Sequence, residues 1–361
     1  PSGFLALCTS NLPDPVATVD PAKGGSVQDY FNTVLYTGNG STQSITGVGF
    51  QPDWVWFKSR SFEENHALYD SVRGATKDIR SDVTNAENTN TTGLTAFGSD
   101  GFSIGSVAYV NQNSATYASW NWKAGTAFSN DASATGVGSI DSAGSVNTDV
   151  GFSIISYTGT GSAGTVAHGL GVALQMIIVK NRSAADAWQV YHENIASDAQ
   201  TDYLVLNTTA AAVDDAGRWN DTAPTTAVFS IGADVEVNTS SENYIAYCFA
   251  SVDGYSKFGS YTGNGNADGT FVYTGFRPAF VMTKRTDSTG SWEMYDAKRI
   301  GYNTANYYVY AQGINADGTD IPFDILSNGF KRRSTGGSAN ASGGTYIYMA
   351  FAEQPFKYAN A

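Results

Sequence analysis

The chain has 361 residues, of which 42% are hydrophobic, 13% are aromatic and only 15% are charged. This much apolar surface can build several folded cores, which excludes a wholly disordered chain. The net charge of −13 would repel a phosphate backbone and an anionic membrane surface, so nucleic-acid and membrane binding are disfavoured. No apolar run approaches the roughly 18 residues of a membrane span, so membrane insertion is not expected.

The first 27 residues are predicted to form an extended arm or linker. Proline recurs in this stretch, at Pro13, Pro15 and Pro21, and such a density prevents regular structure. An attachment tether and a plain linker are both compatible with it. The chain opens without an initiating Met and without the basic start of a signal peptide, as expected for a processed form or for the tail of a longer product.

One stretch occurs three times in the chain. Each copy begins with Tyr-Thr-Gly-x-Gly and ends in a short apolar run closed by a lysine; the copies are 36–58, 157–180 and 261–284. An arginine, an aromatic segment, a Phe-centred strand and an alternating aromatic strand follow each copy. The period is about 100 residues, which is the size of an ordinary domain and too long for a solenoid repeat.

We therefore predict an all-β chain of three tandem β-sandwich repeats, jelly-roll-like, with short helices in loops. Abundant Gly, Thr and aromatic residues with little charge favour this class. Unit one is assigned to residues 28–125, unit two to 150–258 and unit three to 259–361. Residues 126–149, rich in Ser, Gly and Ala, are predicted to be a flexible spacer or an exposed excursion.

Local patterns assign some elements within the units. The Gly38-Asn39-Gly40 corner predicts a hairpin turn, because glycine and asparagine tolerate positive φ. Residues 53–58, DWVWFK, predict a central strand covered on both faces. Weak helical patterns lie at 65–79 and 184–195, without convincing caps. Cys248 falls in an alternating strand and is expected to be a buried apolar residue, with no partner in Cys8.

Motifs for catalysis or cofactor binding are not found in the sequence. His66 lies in unit one, His168 and His192 lie at other places in unit two, and none has metal-ligand spacing. No Gly-x-Ser-x-Gly elbow is present, and the scattered carboxylates are best explained by solvation. The loop at 315–320 could offer oxygen ligands to Ca²⁺, but an Asx turn explains it better. We therefore predict no catalytic residue, cofactor or metal.

Recognition is expected in the loops, because turns and buried aromatics are what the three copies share. Trp219, Asn220 and Asp221 lie together in a polar loop of unit two. An exposed Trp beside amide and carboxylate groups suits a sugar ring through stacking and hydrogen bonds. The same group could form a turn whose Trp is buried. These residues are the candidate ligand contact of the sequence.

Several stretches resemble an uncharacterised repeat domain of virion proteins from tailed phages, many of them from aquatic hosts. The resemblance is carried by YTGNG with GVGFQPDWVWFKSR, by DSVRGATK, by SSENYIAYCFASVDGYSKFGSYTGNG and by the terminal TYIYMAFAEQPFKYANA. The opening PSGFLALCTSNLPDP resembles a junction after a SPRY-like sandwich, which implies an upstream domain. The resemblance implies a surface structural role and assigns no catalytic residue.

From the residues and this resemblance we expect a non-enzymatic virion protein: a tail fibre, an appendage or a capsid decoration at the virion surface. Its loops would attach to the host surface. Expected partners are other virion proteins, further copies of the chain as a homotrimer, and a host glycan. A carbohydrate-binding, lectin-like module is the alternative, and a polysaccharide depolymerase is a further one.

Overall fold

The computed structural model describes residues 12–299, 303 and 306–359. Its regular structure is dominated by short strands in several sheets, and its helices are single turns. The all-β, sandwich-like prediction is therefore confirmed. The first eleven residues of the predicted arm, with Cys8, lie outside the described residues. Cys248 is buried, as its place in an alternating strand predicts.

Unit one is a pair of sheets packed face to face. Its elements are β1 (Phe31–Thr37), β2 (Gln43–Thr46), β3 (Trp54–Ser59), β4 (Ala67–Asp70), β5 (Lys77–Asp78), β6 (Asn88–Thr89), β7 (Leu94–Gly98), β8 (Gly101–Ile104), α1 (Ala108–Asn111) and β9 (Thr116–Trp122). The larger sheet has the order β1-β9-β3-β4 and the smaller one β2-β8-β7, while β5 and β6 form a separate pair. An apolar core that includes Val55, Phe57 and Phe102 fills the space between the two sheets.

Unit two repeats this plan and begins earlier in the chain than predicted. Its elements are β10 (Thr126–Asn130), α2 (Ala132–Thr135), β11 (Ser142–Asn147), β12 (Phe152–Thr158), β13 (Gly164–Ala167), β14 (Met176–Asn181), β15 (Gln189–His192), β16 (Asp202–Val205), β17 (Val213–Asp214), α3 (Ala216–Trp219), β18 (Val228–Ile231), α4 (Val235–Asn238) and β19 (Asn243–Phe249). The large sheet has the order β10-β11-β12-β19-β14-β15-β16-β17, and β13 pairs with β18.

The prediction of a flexible spacer at 126–149 is wrong. Strands β10 and β11 pair with each other, and all of β11 pairs with residues 152–157 of β12. Small side chains permit this close pairing: a Cβ on Gly144 would lie only 1.8 Å from the carbonyl oxygen of Ile154. Low complexity is typical of linkers, but here small residues fit a strand against a neighbouring strand.

Unit three again has two sheets. Its elements are β20 (Ser256–Thr262), β21 (Phe271–Tyr273), β22 (Phe276–Arg285), β23 (Glu293–Asp296), β24 (Val309–Tyr310), β25 (Phe323–Leu326), β26 (Gly329–Arg332), α5 (Gly337–Asn340) and β27 (Thr345–Pro355). The larger sheet has the order β20-β27-β22-β23-β24 and the smaller one β21-β26-β25. Strand β20 begins before the predicted boundary at residue 259, because its pairing with β27 starts at Ser256.

The described part of the arm, residues 12–27, is folded against unit three and is not extended. It forms short 3-10 turns, and Asp20 caps the turn that starts at Pro21. The hydroxyl of Tyr358 donates to Asp20 over 2.7 Å, and the Nζ of Lys357 pairs with Asp14. Proline at the first position of a helical turn is compatible with that turn. The high density of proline in the arm therefore does not require an extended chain.

The three units share one aromatic core. Strand β3 is buried at every position: Trp54 and Trp56 face the common core, while Val55 and Phe57 face the sandwich of unit one. This confirms the prediction of a central strand covered on both faces. The ring of Trp54 lies 6.0 Å from that of Phe249 in unit two. Phe249 in turn lies 6.1 Å from Phe351 in unit three. The three repeats therefore share one hydrophobic core and are not independent domains.

Polar contacts join the units in a closed ring. The residue just before β4, β15 or β23 bonds to a backbone carbonyl of another unit. Trp188 of unit two donates through Nε1 to the oxygen of Arg80 in unit one, at 2.8 Å. Trp292 of unit three donates to Val205 of unit two, at 3.0 Å. The His66 ring of unit one bonds at 2.9 Å to a carbonyl of unit three, that of Tyr310. The three copies are thus arranged with approximate threefold symmetry.

The Gly38-Asn39-Gly40 corner does not form the predicted hairpin turn. It joins β1 to β2, which belong to different sheets. The buried Asn111, at the end of α1, holds the corner: its Oδ1 accepts from the N–H of Asn39 at 2.8 Å and its Nδ2 donates to the carbonyl of Gly105 at 2.7 Å. Asn238 and Asn340 make the equivalent contacts in the other units.

A stacked tyrosine pair supports each of these corners. The paired rings are parallel within about 15°, and their centroids lie 4.8–5.2 Å apart; the pairs are Tyr36 with Tyr117, Tyr157 with Tyr244, and Tyr261 with Tyr346. The hydroxyl of each first tyrosine donates to a carbonyl in the single-turn helix, as Tyr36 does to Val110 at 2.7 Å. The sequence repeat therefore encodes a repeated corner, fixed by one asparagine and two tyrosines.

The two weak helical predictions are wrong. Residues 65–79 contain β4 and β5, and residues 184–195 contain β15. Strand β15 is buried at every position and pairs with β14 on one side and β16 on the other. Because both faces of this strand are buried, its sequence QVYH does not alternate between core and solvent residues, and periodicity cannot distinguish it from a helix.

We expect Asn111→Ala to lower the free energy of unfolding by about 2–4 kcal/mol, because the backbone groups that Asn111 satisfies are left unpaired in a buried corner. The measurement is equilibrium unfolding in urea, followed by tryptophan fluorescence. The matched control is Asn113→Ala, an exposed asparagine in the same loop, which should change the value by less than about 0.5 kcal/mol. Equal effects of the two substitutions would contradict the role given to Asn111.

Candidate functional site

A cleft of about 810 Å³ lies beside strand β20, between units two and three. We call it the unit-three cleft. Residues of unit two, among them Gln175, Glu193 and Ser251, form one wall, and β20 and β21 form the other. The arm closes one end with residues 12–15. A second recess of about 540 Å³ continues along β20, with Ser260 and Tyr261 shared by both.

Two exposed aromatic side chains stand on β21 at the cleft. Phe271 is 44% exposed and Tyr273 is 47% exposed. The Lys257 ammonium lies 5.2 Å from the centroid of the Tyr273 ring and donates to the Tyr273 carbonyl at 3.3 Å. Tyr273 also meets Phe356 edge to face at 6.4 Å. The aromatic face can stack on a ligand ring, and the ammonium group beside it can donate hydrogen bonds to the same ligand.

Phe271 and Tyr273 are not among the predicted contact residues, although the sequence carries a signal for them. In the pairing of β2, β13 and β21 with their Phe-centred partners, Val272 occupies the place of Ile45 and Val166. The residues flanking this position are small in units one and two but aromatic in unit three, as Phe271 and Tyr273. Comparing the copies position by position would have singled out this departure.

The predicted ligand contact at Trp219, Asn220 and Asp221 is corrected by the structure. Trp219 is only 1% exposed, and its indole Nε1 donates to the carbonyl of Asp202 at 3.1 Å. Its ring meets Tyr191 edge to face, so no face is open to a sugar. Asn220 and Asp221 have φ of 53° and 46° and form the turn that ends α3. The group is a turn over a buried Trp.

The acidic loop at 315–320 joins unit three to unit one. Asp317 accepts from Arg60 of unit one at 2.8 Å and from Arg299 of its own unit at 2.9 Å. Its N–H donates to the carbonyl of Arg60 at 3.0 Å. The carboxylate that could have bound a cation is thus used in inter-unit ion pairs. In the described part of the chain, no three His, Cys, Asp or Glu side chains are grouped as a metal site would require.

The three histidines are also buried within the fold. Burial lowers the pKa of His168 and of His192 to about 4, and it also holds the pKa of His66 well below its ordinary value. The His66 Nδ1 accepts from the indole N–H of Trp56 at 2.7 Å. His192 bonds at 3.2 Å to the carbonyl of Tyr348 in unit three. These rings are neutral hydrogen-bonding groups that connect strands and units.

Comparison with protein families adds one finding. A domain of unknown function, DUF7483, matches residues 26–355. The chain belongs to this family. The match runs through all three units, in agreement with their shared core. A comparison with curated proteins finds no match. None of the helices in the described residues has the length and apolarity needed to cross a membrane.

The lysine that ends each repeated stretch of this DUF7483 domain is buried. Burial lowers the pKa of Lys58, Lys180 and Lys284 to about 8. The Lys58 ammonium donates to the carbonyl of Glu64 at 2.8 Å and to that of Ile314 in unit three at 2.9 Å. Lys284 donates to the carbonyl of its neighbour Arg285 at 2.7 Å. Each ammonium therefore satisfies backbone carbonyls near the edge of its unit.

These lysines predict a pH dependence of stability. The pKa of Lys58 is depressed in the fold, so above about pH 8 the unfolded chain binds more protons than the folded chain, and stability rises with pH up to the unfolded pKa near 10.5. In urea unfolding between pH 8 and pH 10, Lys58→Met should reduce this rise relative to wild type by roughly 1–2 kcal/mol. Asn113→Ala, which removes no charge, should keep the wild-type profile. Parallel profiles of wild type and Lys58→Met would contradict this assignment.

Proposed function

We propose that this chain is a non-enzymatic structural component of a tailed-phage virion surface, as part of a tail fibre, an appendage or a capsid decoration. The observation that carries the proposal is the closed ring of three units around one aromatic core. Such a ring is a rigid platform, and the loops at its surface remain free to contact other molecules. The resemblance of the repeated stretches to virion proteins of tailed phages supports the same role.

Contacts inside the ring explain how buried charge is used in this chain. Asp70 and Arg73 are fully buried and paired at 2.5 Å, and the hydroxyl of Tyr247 in unit two donates to Asp70 at 2.7 Å. Asp296 and Arg299 form the equivalent pair in unit three, where the Trp120 indole of unit one donates to Asp296 at 3.1 Å. These carboxylates hold the units in register, which supports a structural role for them over a catalytic one.

Attachment to the host would combine several weak sites. A rigid ring presents its loops at fixed spacing, and assembly of several copies into a homotrimer or onto other virion proteins would multiply them. Linked sites raise the overall avidity through effective concentration, so no single loop needs high affinity. The ring already supplies approximate threefold symmetry within one chain, so a single copy could also cap a threefold assembly.

The test of this role is the location of the protein. We expect peptides of this chain in density-purified phage particles, and gold-labelled antibodies against it should mark the tail or the capsid surface in electron micrographs. Native mass spectrometry of the purified protein then gives the number of copies in the assembly. A protein present in the lysate but absent from purified particles would contradict the proposal, as would release of reducing sugars from a host polysaccharide by the pure protein.

The unit-three cleft favours carbohydrate binding as a second candidate function. Phe271 and Tyr273 offer aromatic faces, and Lys257 and Glu193 offer polar groups within one concavity. Sugar rings commonly pack on such aromatic faces, while neighbouring polar groups fix the orientation of the sugar by hydrogen bonds. The net charge of the chain favours a neutral or cationic sugar over a polyanion.

For this candidate, Tyr273→Ala should weaken binding of a host-surface glycan at least tenfold, by about 1.4 kcal/mol or more, because the stacking face is lost. Glycan-array screening identifies the ligand, and titration calorimetry measures the change. Tyr307→Ala is the control, since Tyr307 is an exposed tyrosine outside the residues that line the cleft. Unchanged binding by Tyr273→Ala would exclude the cleft as the sugar site.

A further inference from the structure

Strand β20 occupies in unit three the place that β12 occupies in unit two. Tyr261 of β20 lies opposite Tyr346, as Tyr157 of β12 lies opposite Tyr244. Both strands therefore form the same edge of the repeated large sheet. In unit two this edge is covered, because β11 pairs with β12 over its whole length. In unit three no other strand of the described residues pairs with the outer edge of β20.

The backbone of β20 presents hydrogen-bonding groups along this edge. Backbone groups of an antiparallel strand point alternately to its two sides. The N–H of Gly263 donates to Gly344 at the end of β27, whereas the N–H of Phe258 donates away from β27, to the Ser251 hydroxyl at 3.1 Å. The N–H and C=O groups of Ser260 therefore point outward, as does the N–H of Thr262. Within the described residues, these groups have no hydrogen-bond partner.

The walls of the space beside β20 correspond to those around β11 in unit two. The unit-three cleft and its continuation run along the outer edge, and Ser260 lines both. The opposite wall contains Gln175 and Glu193, linked by a bond from the Glu193 N–H to the Gln175 carbonyl at 2.8 Å. Asp53 and Ser71 of unit one are linked in the same way, also at 2.8 Å, at the equivalent position. In unit two, strand β11 therefore occupies the place that is open beside β20 in unit three.

We propose that the outer edge of β20 is an acceptor site for an extended segment of a second polypeptide, which adds to the sheet as β11 adds to β12. The chemistry of the segment follows from β11, whose six residues are SAGSVN. It is uncharged and short, and it carries small side chains, with glycine where the two backbones approach most closely. Main-chain hydrogen bonds to Ser260 and Thr262 would bind the segment. The wall formed by Gln175 and Glu193 would limit the size of its side chains.

Binding of a strand and binding of a sugar make different demands on the cleft. Strand addition depends on the N–H of Ser260 and is indifferent to its hydroxyl. Sugar binding depends on the faces of Phe271 and Tyr273 and is indifferent to the backbone of β20. The regular spacing of outward N–H and C=O groups along one edge favours the polypeptide, and the sugar becomes an outcome of the test.

The first experiment uses the intact chain and a synthetic, end-blocked peptide with the sequence of residues 141–148, DSAGSVNT. Fluorescence anisotropy of the labelled peptide should show saturable binding. Ser260→Pro removes the outward N–H and should weaken binding at least tenfold, whereas Ser260→Ala keeps it and should bind within about twofold of wild type. Proline is tolerated on edge strands, so the variant should fold, and its unfolding midpoint checks this.

A second arm leaves the protein unchanged. A peptide with proline in place of the serine that corresponds to Ser145 should bind wild-type protein at least tenfold more weakly, since it lacks one backbone N–H for the pairing with β20. Hydrogen exchange should show the Ser260 amide exchanging at least about 100-fold faster than the Ser156 amide in the free protein, and slowing when the peptide binds.

Three results would overturn the proposal. One is equal binding by Ser260→Pro and Ser260→Ala. Another is a Ser260 amide that is already as protected as Ser156 in the free chain, which would mean that the edge is covered by the chain itself. The third is absence of peptide binding at millimolar concentration while a glycan binds in a manner that Tyr273→Ala abolishes.

Discussion

The structure depends on burying both faces of three large sheets. Each sheet covers its own sandwich core on one face and carries large aromatic side chains on the other. In unit one the second face presents Trp54 and Trp56, which an isolated unit would expose to water. Each aromatic side chain removes about 150–250 Å² from water when it is buried. Three units that place these faces together bury them all, so the common core requires all three copies.

Closure of the ring follows from this common core. Once three similar sheets meet around a centre, the same edge of each unit meets the next, and one kind of contact can be used three times. The indole N–H of Trp188 and that of Trp292 make it in two places, and His66 makes it in the third. The three contacts share the same geometry but not the same residue type, because each needs only a ring N–H that points at a backbone carbonyl. Buried ion pairs and lysine ammonium groups satisfy further buried polar atoms, as Arg73 does for Asp70 and Lys58 for the carbonyl of Ile314.

Symmetry of this kind makes the departures from it informative. The outer edge of the large sheet is covered by β11 in unit two, whereas the equivalent strands β1 and β20 are the last strands of their sheets in units one and three. The small sheet carries aromatic side chains outside only in unit three, at Phe271 and Tyr273. The open edge of β20 and the exposed aromatic side chains of β21 line the same cleft. Unit three thus combines an open sheet edge with exposed aromatic side chains, which is why the binding of another molecule is proposed at this cleft.

The amino-acid sequence by itself determined the repeat, the all-β class and the double burial of strand β3, because glycine corners, aromatic strands and unbroken apolar runs are local properties. The tertiary structure alone decided what those elements meet. Residues 126–130 and 142–147 form strands because the second of these segments pairs with the edge of β12. Trp219 is buried because its ring packs on Tyr191 and its indole N–H donates to the carbonyl of Asp202. The corner at Gly38 joined two sheets because Asn111 reached it from across the sandwich. The cleft exists because one sheet edge found no strand within the described chain, and such pairings between distant residues leave no pattern in the sequence of either partner.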